Sequence, residues 1–169
     1  PVDEALLLDV GIAIFDPGLE EYDEDQQIYP EVRKAEARYM PNLLSDAMQN
    51  SGAWGAVRVV PSARQITDLM VEGDILYSDG EKLQLQITAT DSRGVVWLDK
   101  KYTGNASRYA YEITTRNKQD PFQAIYNTIA NDLLLKQEDL ANSDRENVRL
   151  ITELVFARSF SQETFEGYL

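Results

Sequence analysis

The sequence contains no histidine and no cysteine. Without cysteine, the chain forms no disulfide and offers no thiolate to a metal ion or a substrate. Without histidine, it lacks the commonest general base and the commonest zinc ligand. These two absences exclude Ser-His-Asp hydrolysis, His-Glu-x-x-His metalloprotease chemistry and most transition-metal sites.

Long apolar runs and nucleotide-binding motifs are absent as well. The longest near-continuous apolar stretch, residues 5–14, is interrupted by Asp9, so no segment is suited to cross a bilayer as a helix. The glycines form neither G-x-G-x-x-G nor G-x-x-x-x-G-K-[ST]. We therefore expect no cofactor. Because the chain begins with Pro1 and contains no leader segment, we expect any targeting segment to have been removed.

Basic residues are scarce relative to acidic ones. The chain has 16 lysines and arginines against 29 aspartates and glutamates, which gives a net charge of −13. Residues 1–29 contain no basic side chain at all. Such a charge repels phosphate backbones and anionic lipid. The composition therefore predicts that neither a nucleic acid nor an anionic membrane surface is the partner.

The clearest structural pattern present is the alternation of apolar and polar residues over 68–104. Positions 69, 71, 73, 75 and 77 are apolar or small, as are 83, 85, 87 and 89, and polar residues occupy most positions between them. This alternation is typical of strands with one buried and one wet face. The stretch therefore predicts an antiparallel meander of three strands joined by two tight turns.

The first turn of this meander sets the expected pairing. A three-residue loop at 78–80, with Gly80 in the left-handed region, would place Ile75 opposite Leu83 and Val71 opposite Ile87.

The second turn, at 91–94, is expected to send Val96, Leu98 and Tyr102 to the same buried side. Trp97 would then point to the other face. Either the third strand is partly covered on both of its faces, or Trp97 lies in an exposed apolar patch.

The rest of the chain predicts strands and helices around the meander. Residues 5–15 are apolar at both odd and even positions, as in a strand buried on both faces. Pro41 should kink or restart the helix that contains it. The other predicted elements are a helix from Pro30 to the Asn50-Ser51-Gly52 stop, a strand at 56–60, a helix capped by Asp120, a helix from Ser143 carrying Val148, Ile151, Leu154 and Val155, and a final turn capped by Ser161.

This order predicts an α/β (α+β) fold. We expect a single mixed five-stranded sheet with a parallel crossover, a three-strand antiparallel meander and C-terminal helices, with the first strand central. Residues 1–142 would form the sheet domain. Residues 143–169 would form a C-terminal helical appendage, the start of a further region.

Cationic and aromatic residues between the meander and the next helix are candidates for binding a partner. Such side chains are enriched at protein interfaces. The competing interpretation is that the tyrosines pack on the sheet or on a helix. The candidates are Arg108, Tyr109, Tyr111, Lys100 and Lys101.

Two acidic arrangements suggest other functions. Glu72 and Asp74 would share one face of a strand, as the two carboxylates of a hydrolase could, but the pattern favours the wet side of an amphipathic strand. Asp23 and Asp25 lie in an acidic loop that could bind calcium but lacks the EF-hand spacing. A solvated loop is the competing interpretation.

Four phrases carry a resemblance to a known class of protein: VGIAIF at 10–15, NSGAW at 50–54, VRVVP at 57–61 and DLMVEG at 68–73, followed by WLDKKYTG. Their order over residues 6–140 resembles the periplasmic domain of small bacterial envelope lipoproteins. This class includes the curli-secretion lipoprotein, the lipoprotein activators of penicillin-binding proteins and the N-terminal domain of the Tol propeller protein.

The resemblance implies a non-enzymatic, periplasmic interaction or assembly module in a Gram-negative bacterium. It further implies a protein partner in the envelope and outer-membrane anchoring through a lipidated cysteine before Pro1. The alternatives are a carboxylate-based hydrolase using Glu72 and Asp74, and a small-ligand or calcium-binding module.

Overall fold

The structure is a computed structural model that describes residues 3–20, 28–106 and 120–166. The strands are β1 (Val10–Ala13), β2 (Val57–Val60), β3 (Leu69–Ser78), β4 (Lys82–Asp91) and β5 (Val96–Asn105). The helices are α1 (Pro30–Gln49), α2 (Gln123–Glu138) and α3 (Asn142–Glu166), with a short 3₁₀ helix at Glu4–Leu6.

The strands form one mixed sheet in the order β2-β1-β3-β4-β5. β1 is parallel to β2 and β3, whereas β3, β4 and β5 are antiparallel. The predicted fold class is therefore confirmed, including the crossover and the meander. β1 is interior and all its residues are buried, in agreement with its unbroken apolar pattern, but it is second in the order, and the central strand is β3 and not β1 as predicted.

Several predicted boundaries were wrong. The helix predicted to be capped by Ser143 begins at Asn142, so Ser143 lies within it. The first strand begins at Val10 and not at Ala5, because residues 4–6 form a 3₁₀ turn in which Asp3 Oδ1 accepts a hydrogen bond from Ala5 N (3.2 Å). No separate helical turn begins at Ser161, since α3 is continuous to Glu166. α1 likewise continues through Pro41, which does not restart it.

The predicted pairing of β3 with β4 was wrong by two residues. Val71 lies opposite Ala89 and Ile75 opposite Leu85, and a bulge follows Ile75. Alternation could not reveal this, because a shift of two residues leaves each side chain on the same face. The predicted loop at 78–80 was wrong, because Ser78 pairs with Leu83 and Asp79 N donates to Lys82 O, which puts the turn at Gly80 and Glu81. This turn and the extra residue at Leu76 in the bulge together set the register.

A second irregularity lies at the start of β5. Ala89 pairs with Leu98 and Thr90 with Val96, so Trp97 is the extra residue. As predicted, Leu98 and Tyr102 are buried, but Val96 is 56% exposed and Trp97 only 7% exposed. The prediction failed for Val96, and of the two outcomes considered for Trp97 the exposed one is excluded. The Trp97 ring lies against Trp54, with ring centroids 6.2 Å apart.

The core lies between α1, α2 and one face of the sheet. Gly73 shows how closely the elements pack there, since a Cβ on this residue would lie 2.7 Å from two carbons of the Phe15 ring. Glycine ends the phrase DLMVEG because the Phe15 ring occupies the side-chain position.

Candidate functional site

The predicted partner-binding residues are only partly within the described chain. Arg108, Tyr109 and Tyr111 lie outside the described residues, as do Asp23 and Asp25. Lys100 and Lys101 are adjacent in β5 and therefore point to opposite faces of the sheet. The structure does not bring these two lysines to one surface.

Lys100 belongs to a cluster that joins β5 to α2. Tyr102 Oη donates a hydrogen bond of 2.6 Å to Asp132 Oδ2, and Lys100 Nζ lies 3.1 Å from the same oxygen. Burial and the Asp132 hydrogen bond raise the pKa of Tyr102. Burial alone would raise the pKa of Asp132, but the hydrogen bonds from Tyr102 and Lys100 lower it overall. These contacts give Lys100 a structural role at the α2 interface.

Glu72 and Asp74 both lie on the exposed side of β3. They face solvent opposite Thr88 and Gln86 of β4. Neither lines the cavity described below. An exposed strand face of this kind offers no enclosed setting in which the pair could act as a catalytic acid and base.

Two further searches cover the described residues alone. Within residues 3–20, 28–106 and 120–166, no group of three or more acidic side chains is placed to hold a metal ion. Among the helices of those segments, none is both long and apolar enough to span a bilayer.

The first half of α3 is anchored to the sheet domain. Val148 is fully buried, and its carbonyl accepts a hydrogen bond from Ser92 Oγ (2.7 Å). Arg145 is buried and donates to the carbonyls of Leu140 (2.7 Å) and Gln137 (2.6 Å). These contacts supply hydrogen-bond donors to backbone carbonyls at the C-terminal end of α2, and they hold α3 in place.

Asp68, at the entrance to β3, is the centre of a second anchor. Its side chain is 0% exposed, and Oδ2 accepts hydrogen bonds from Asp9 N (2.7 Å) and Arg149 Nη1 (2.8 Å). Arg149 Nη1 also lies 3.3 Å from Asp9 Oδ2. The other oxygen, Asp68 Oδ1, is buried and has no hydrogen-bond partner in the described structure.

A cavity of about 220 Å³ lies beside this carboxylate. It is bounded by the start of β1, by β2, by the segment that leads into β3 and by α3. The lining residues are Asp9, Val10, Gly11, Ala56, Arg58, Val60, Gln65, Ile66, Thr67, Asp68 and Thr152. The sequence pattern did not predict this cavity. Its one sequence signal is Asp68, the first residue of the phrase DLMVEG.

From Leu150 onward, α3 carries large apolar side chains in solvent. Leu154 is 59% exposed and Phe156 62% exposed, and Leu150, Val155 and Phe160 are also exposed. We call these five residues the α3 apolar surface. Of the apolar residues predicted for this helix, Val148 alone is fully buried and Ile151 is half-buried, so periodicity found the helix but not where it leaves the core.

No protein-family model and no curated protein matches this sequence. Among solved structures, the chain is similar to the PelC dodecamer from Paraburkholderia phytofirmans, at 16% identity over 79% of this chain and 90% of that chain. A variant of the PelC dodecamer with a single leucine-to-methionine substitution matches at 16% identity over 76% and 87%. The TM-score is 0.41 in both cases, too low to bear on function.

Proposed function

We propose that this chain is a non-catalytic interaction module that binds another protein through the α3 apolar surface. The proposal rests on the exposure of that surface. Each large apolar side chain left in water forgoes roughly 1.5–3 kcal/mol of burial free energy. Clusters of such side chains on folded proteins typically mark binding sites. Because the first part of α3 is held against the sheet domain, the rest of the helix projects from the domain in a fixed direction.

The charge of the chain narrows the class of partner. The net charge is −13, and the exposed part of α3 carries Glu153 and Glu163 against Arg158. Anionic lipid and nucleic acid are disfavoured by this balance. The chemistry that fits is a protein with an apolar groove whose rim is neutral or basic, into which the broad face carrying Leu150, Leu154, Phe156 and Phe160 docks, while Val155 lies on the opposite side of the helix.

The cellular setting is proposed from the sequence resemblance. The phrases VGIAIF, NSGAW, VRVVP and DLMVEG support a periplasmic module of a Gram-negative envelope, tethered to the outer membrane through a lipidated cysteine upstream of Pro1. Arg108, Tyr109 and Tyr111 remain a predicted second contact with the partner, together with the exposed Lys101.

Site-specific crosslinking tests the proposal. A photoreactive phenylalanine analogue is placed at position 156, and, as a matched control, at Leu135, which is exposed on α2. We expect one envelope protein to crosslink at 156 and not at 135. The purified partner should then bind the double variant Leu154→Gln/Phe156→Gln at least tenfold more weakly than wild type, and Leu135→Gln within twofold.

Several results would overturn the proposal. Equal crosslinking at positions 156 and 135, or equal binding by the α3 double variant and Leu135→Gln, would show that α3 is not the binding surface. Crosslinks only between copies of the chain, with a dimer in sedimentation, would identify self-association instead. If binding were lost only when Arg108, Tyr109 and Tyr111 are changed to Ala, the binding surface would lie in that segment and not on α3.

A further inference from the structure

The two edges of the sheet differ in how well they are protected against pairing with another chain. β2 is only four residues long and is followed directly by Pro61, and both features discourage the addition of a strand. β5 is ten residues long, contains no proline and, in the part of the chain that the structure describes, pairs with β4 alone. The outer side of such a strand presents alternate N–H and C=O groups. β5 is therefore the edge to which a further strand can be added.

Two opposite charges lie two positions apart on the face of β5 that points away from α2. Asp99 and Lys101 are both exposed, and neither has an ion-pair partner among the described residues. Their direct neighbours on β4 are neutral, since Asp99 pairs with Thr88 and Lys101 with Gln86. Opposite charges directly across a pair of antiparallel strands stabilise the pair, and like charges destabilise it. A strand added beside β5 is therefore favoured if it carries a cation opposite Asp99 and an anion opposite Lys101.

A second copy of β5 carries these two charges at the required spacing. When two identical strands pair about a two-fold axis, each contact occurs twice. With Lys100 on the axis, Asp99 of each copy lies opposite Lys101 of the other copy. An axis at Asp99 would place two aspartates opposite each other, and an axis at Lys101 would do the same with two lysines. The charges of β5 therefore favour one register and oppose its two neighbours.

Lys100 lies opposite itself in this register, on the face of the sheet that contacts α2. Lysines normally protect a strand edge because two of them repel each other. Here Lys100 Nζ lies 3.1 Å from Asp132 Oδ2, so each copy supplies its own counter-charge. The next residues on this face are Leu98 and Tyr102, which would lie opposite each other across the axis. The protection that Lys100 would otherwise give is therefore weakened.

The length of regular strand limits the strength of the pairing. The extra residue at Trp97 interrupts β5, so regular pairing would cover about residues 98–102 of each copy. An interface of this length is smaller than that of a permanent dimer. We expect a dissociation constant of about 10–100 µM, so the dimer would form only where the protein is concentrated.

We propose that two copies of this chain associate by antiparallel pairing of β5, with Lys100 on the two-fold axis and Asp99 opposite Lys101. This surface is separate from the α3 apolar surface, so neither proposal depends on the other. The double variant Leu154→Gln/Phe156→Gln should therefore dimerise with the affinity of the wild type.

Charge reversal tests the pairing, with sedimentation equilibrium of the whole chain from about 5 to 500 µM as the measurement. Asp99→Lys and Lys101→Asp should each weaken self-association at least tenfold, because each variant places like charges opposite each other. An equimolar mixture of the two variants should form a heterodimer within about threefold of the wild-type affinity. In that mixture every charge again lies opposite one of the other sign.

Glu72→Lys is the matched control. Glu72 is exposed on β3 and lies on the same face of the sheet, so its reversal changes the net charge by the same amount away from the edge. Its self-association should stay within twofold of the wild type. Because Asp99→Lys also reduces the net charge of −13, a general charge effect would strengthen association, which is opposite to the expected change.

A single introduced cysteine tests the register, since the chain has no cysteine of its own. Lys100→Cys should give a disulfide-linked dimer on mild oxidation, because directly opposite residues of antiparallel strands have Cα atoms about 4.5–5.5 Å apart, within the range of a disulfide. Thr103→Cys, exposed on the same strand, should give less than a tenth as much, because it lies far from its own copy in this register.

Four results would overturn the proposal. These are a monomer at every concentration, wild-type association of both charge-reversal variants, a mixture that associates no more tightly than either variant alone, and equal disulfide formation at positions 100 and 103. A dimer that the α3 double variant abolishes would instead place self-association on α3. A folding defect cannot imitate the expected result, because recovery in the mixture requires both variants to be folded.

Discussion

Asp91 ends β4 with a buried carboxylate that organises the β4–β5 turn. Oδ2 accepts hydrogen bonds from Arg93 Nη2 (2.7 Å) and Trp97 Nε1 (2.8 Å), and Oδ1 accepts one from Arg93 N (2.8 Å). Burial alone would raise the pKa of Asp91, but these hydrogen bonds and the charge of Arg93 lower it overall. One carboxylate thereby holds both the turn and the bulged Trp97.

The lowered pKa of Asp91 sets the direction of a pH effect. Because the folded pKa lies below the unfolded value, the stabilisation is fully present above the ordinary aspartate range and is lost as pH falls through the folded pKa. We expect Asp91→Asn to lower the free energy of unfolding by about 3 kcal/mol near neutral pH. The deficit should shrink in acid. Urea unfolding at neutral pH and again in acid, below the ordinary aspartate range, measures both values.

Asp99→Asn is the matched control, because Asp99 is exposed on β5 and accepts its hydrogen bonds in solvent. It should change stability by no more than about 0.5 kcal/mol. A deficit in Asp91→Asn that is equally large at both pH values would contradict the electrostatic explanation.

At the scale of elements, α3 depends on Arg149 for its attachment to β1 and β3. Arg149→Met would leave the buried carboxylate of Asp68 without its cation. Breaking a buried ion pair from one side costs about 3–5 kcal/mol. We expect a loss of about 3 kcal/mol, because Arg149 is partly exposed. Hydrogen exchange should accelerate in the amides of α3 more than in those of β4.

Arg158→Met on the same helix is the control. Arg158 is exposed and lies beyond the anchored half of α3, so its replacement should be nearly neutral. If the two arginine variants lost equal stability, the anchor would not lie at Asp68.

The elements were predictable where local pattern decides them. Alternation found β3 and β4. The predicted helix cap at Asp120 was wrong, because α2 begins at Gln123 with Phe122 as its N-cap and no side-chain cap; Asp120 Oδ1 instead accepts a hydrogen bond from Phe122 N (2.8 Å) in the turn before the helix. The bulge at Trp97 was not predictable, because it depends on a contact with Trp54 from another part of the chain. Local patterns carry no information about which distant side chain fills a position.

The candidate sites were less predictable than the fold. Asp68 stood out in the sequence only as part of a familiar phrase. Its cation, Arg149, lies 81 positions later, and no sequence spacing indicates that pairing. The exposure of Leu154 and Phe156 depends on where α3 leaves the core, which helical periodicity does not reveal. Sites that tertiary packing assembles become visible only in the structure.

At the scale of the whole molecule, the net charge of −13 opposes compaction. Raising the NaCl concentration from about 0.02 M to about 0.3 M shortens the Debye length and screens this repulsion. We expect stability to increase by about 1 kcal/mol, equivalent to a rise of about 2–4 °C in Tm. Differential scanning calorimetry measures the shift.

Choline chloride at equal ionic strength separates screening from specific sodium binding and should raise Tm equally. A Tm that stays constant or falls with salt would show that the stabilising ion pairs outweigh the long-range repulsion.

The contact between Arg149 and Asp9 joins residues 140 positions apart, so it affects the timing of folding on the ribosome. The strands and α1 emerge first, but the carboxylate of Asp68 lacks its cation until the last helix is made. Contacts of such long range form late because the chain entropy of closing the loop opposes them. A chain truncated before Arg149 would keep the buried carboxylate of Asp68 without its cation. Such a domain would be incompletely folded and therefore a target for quality-control proteases.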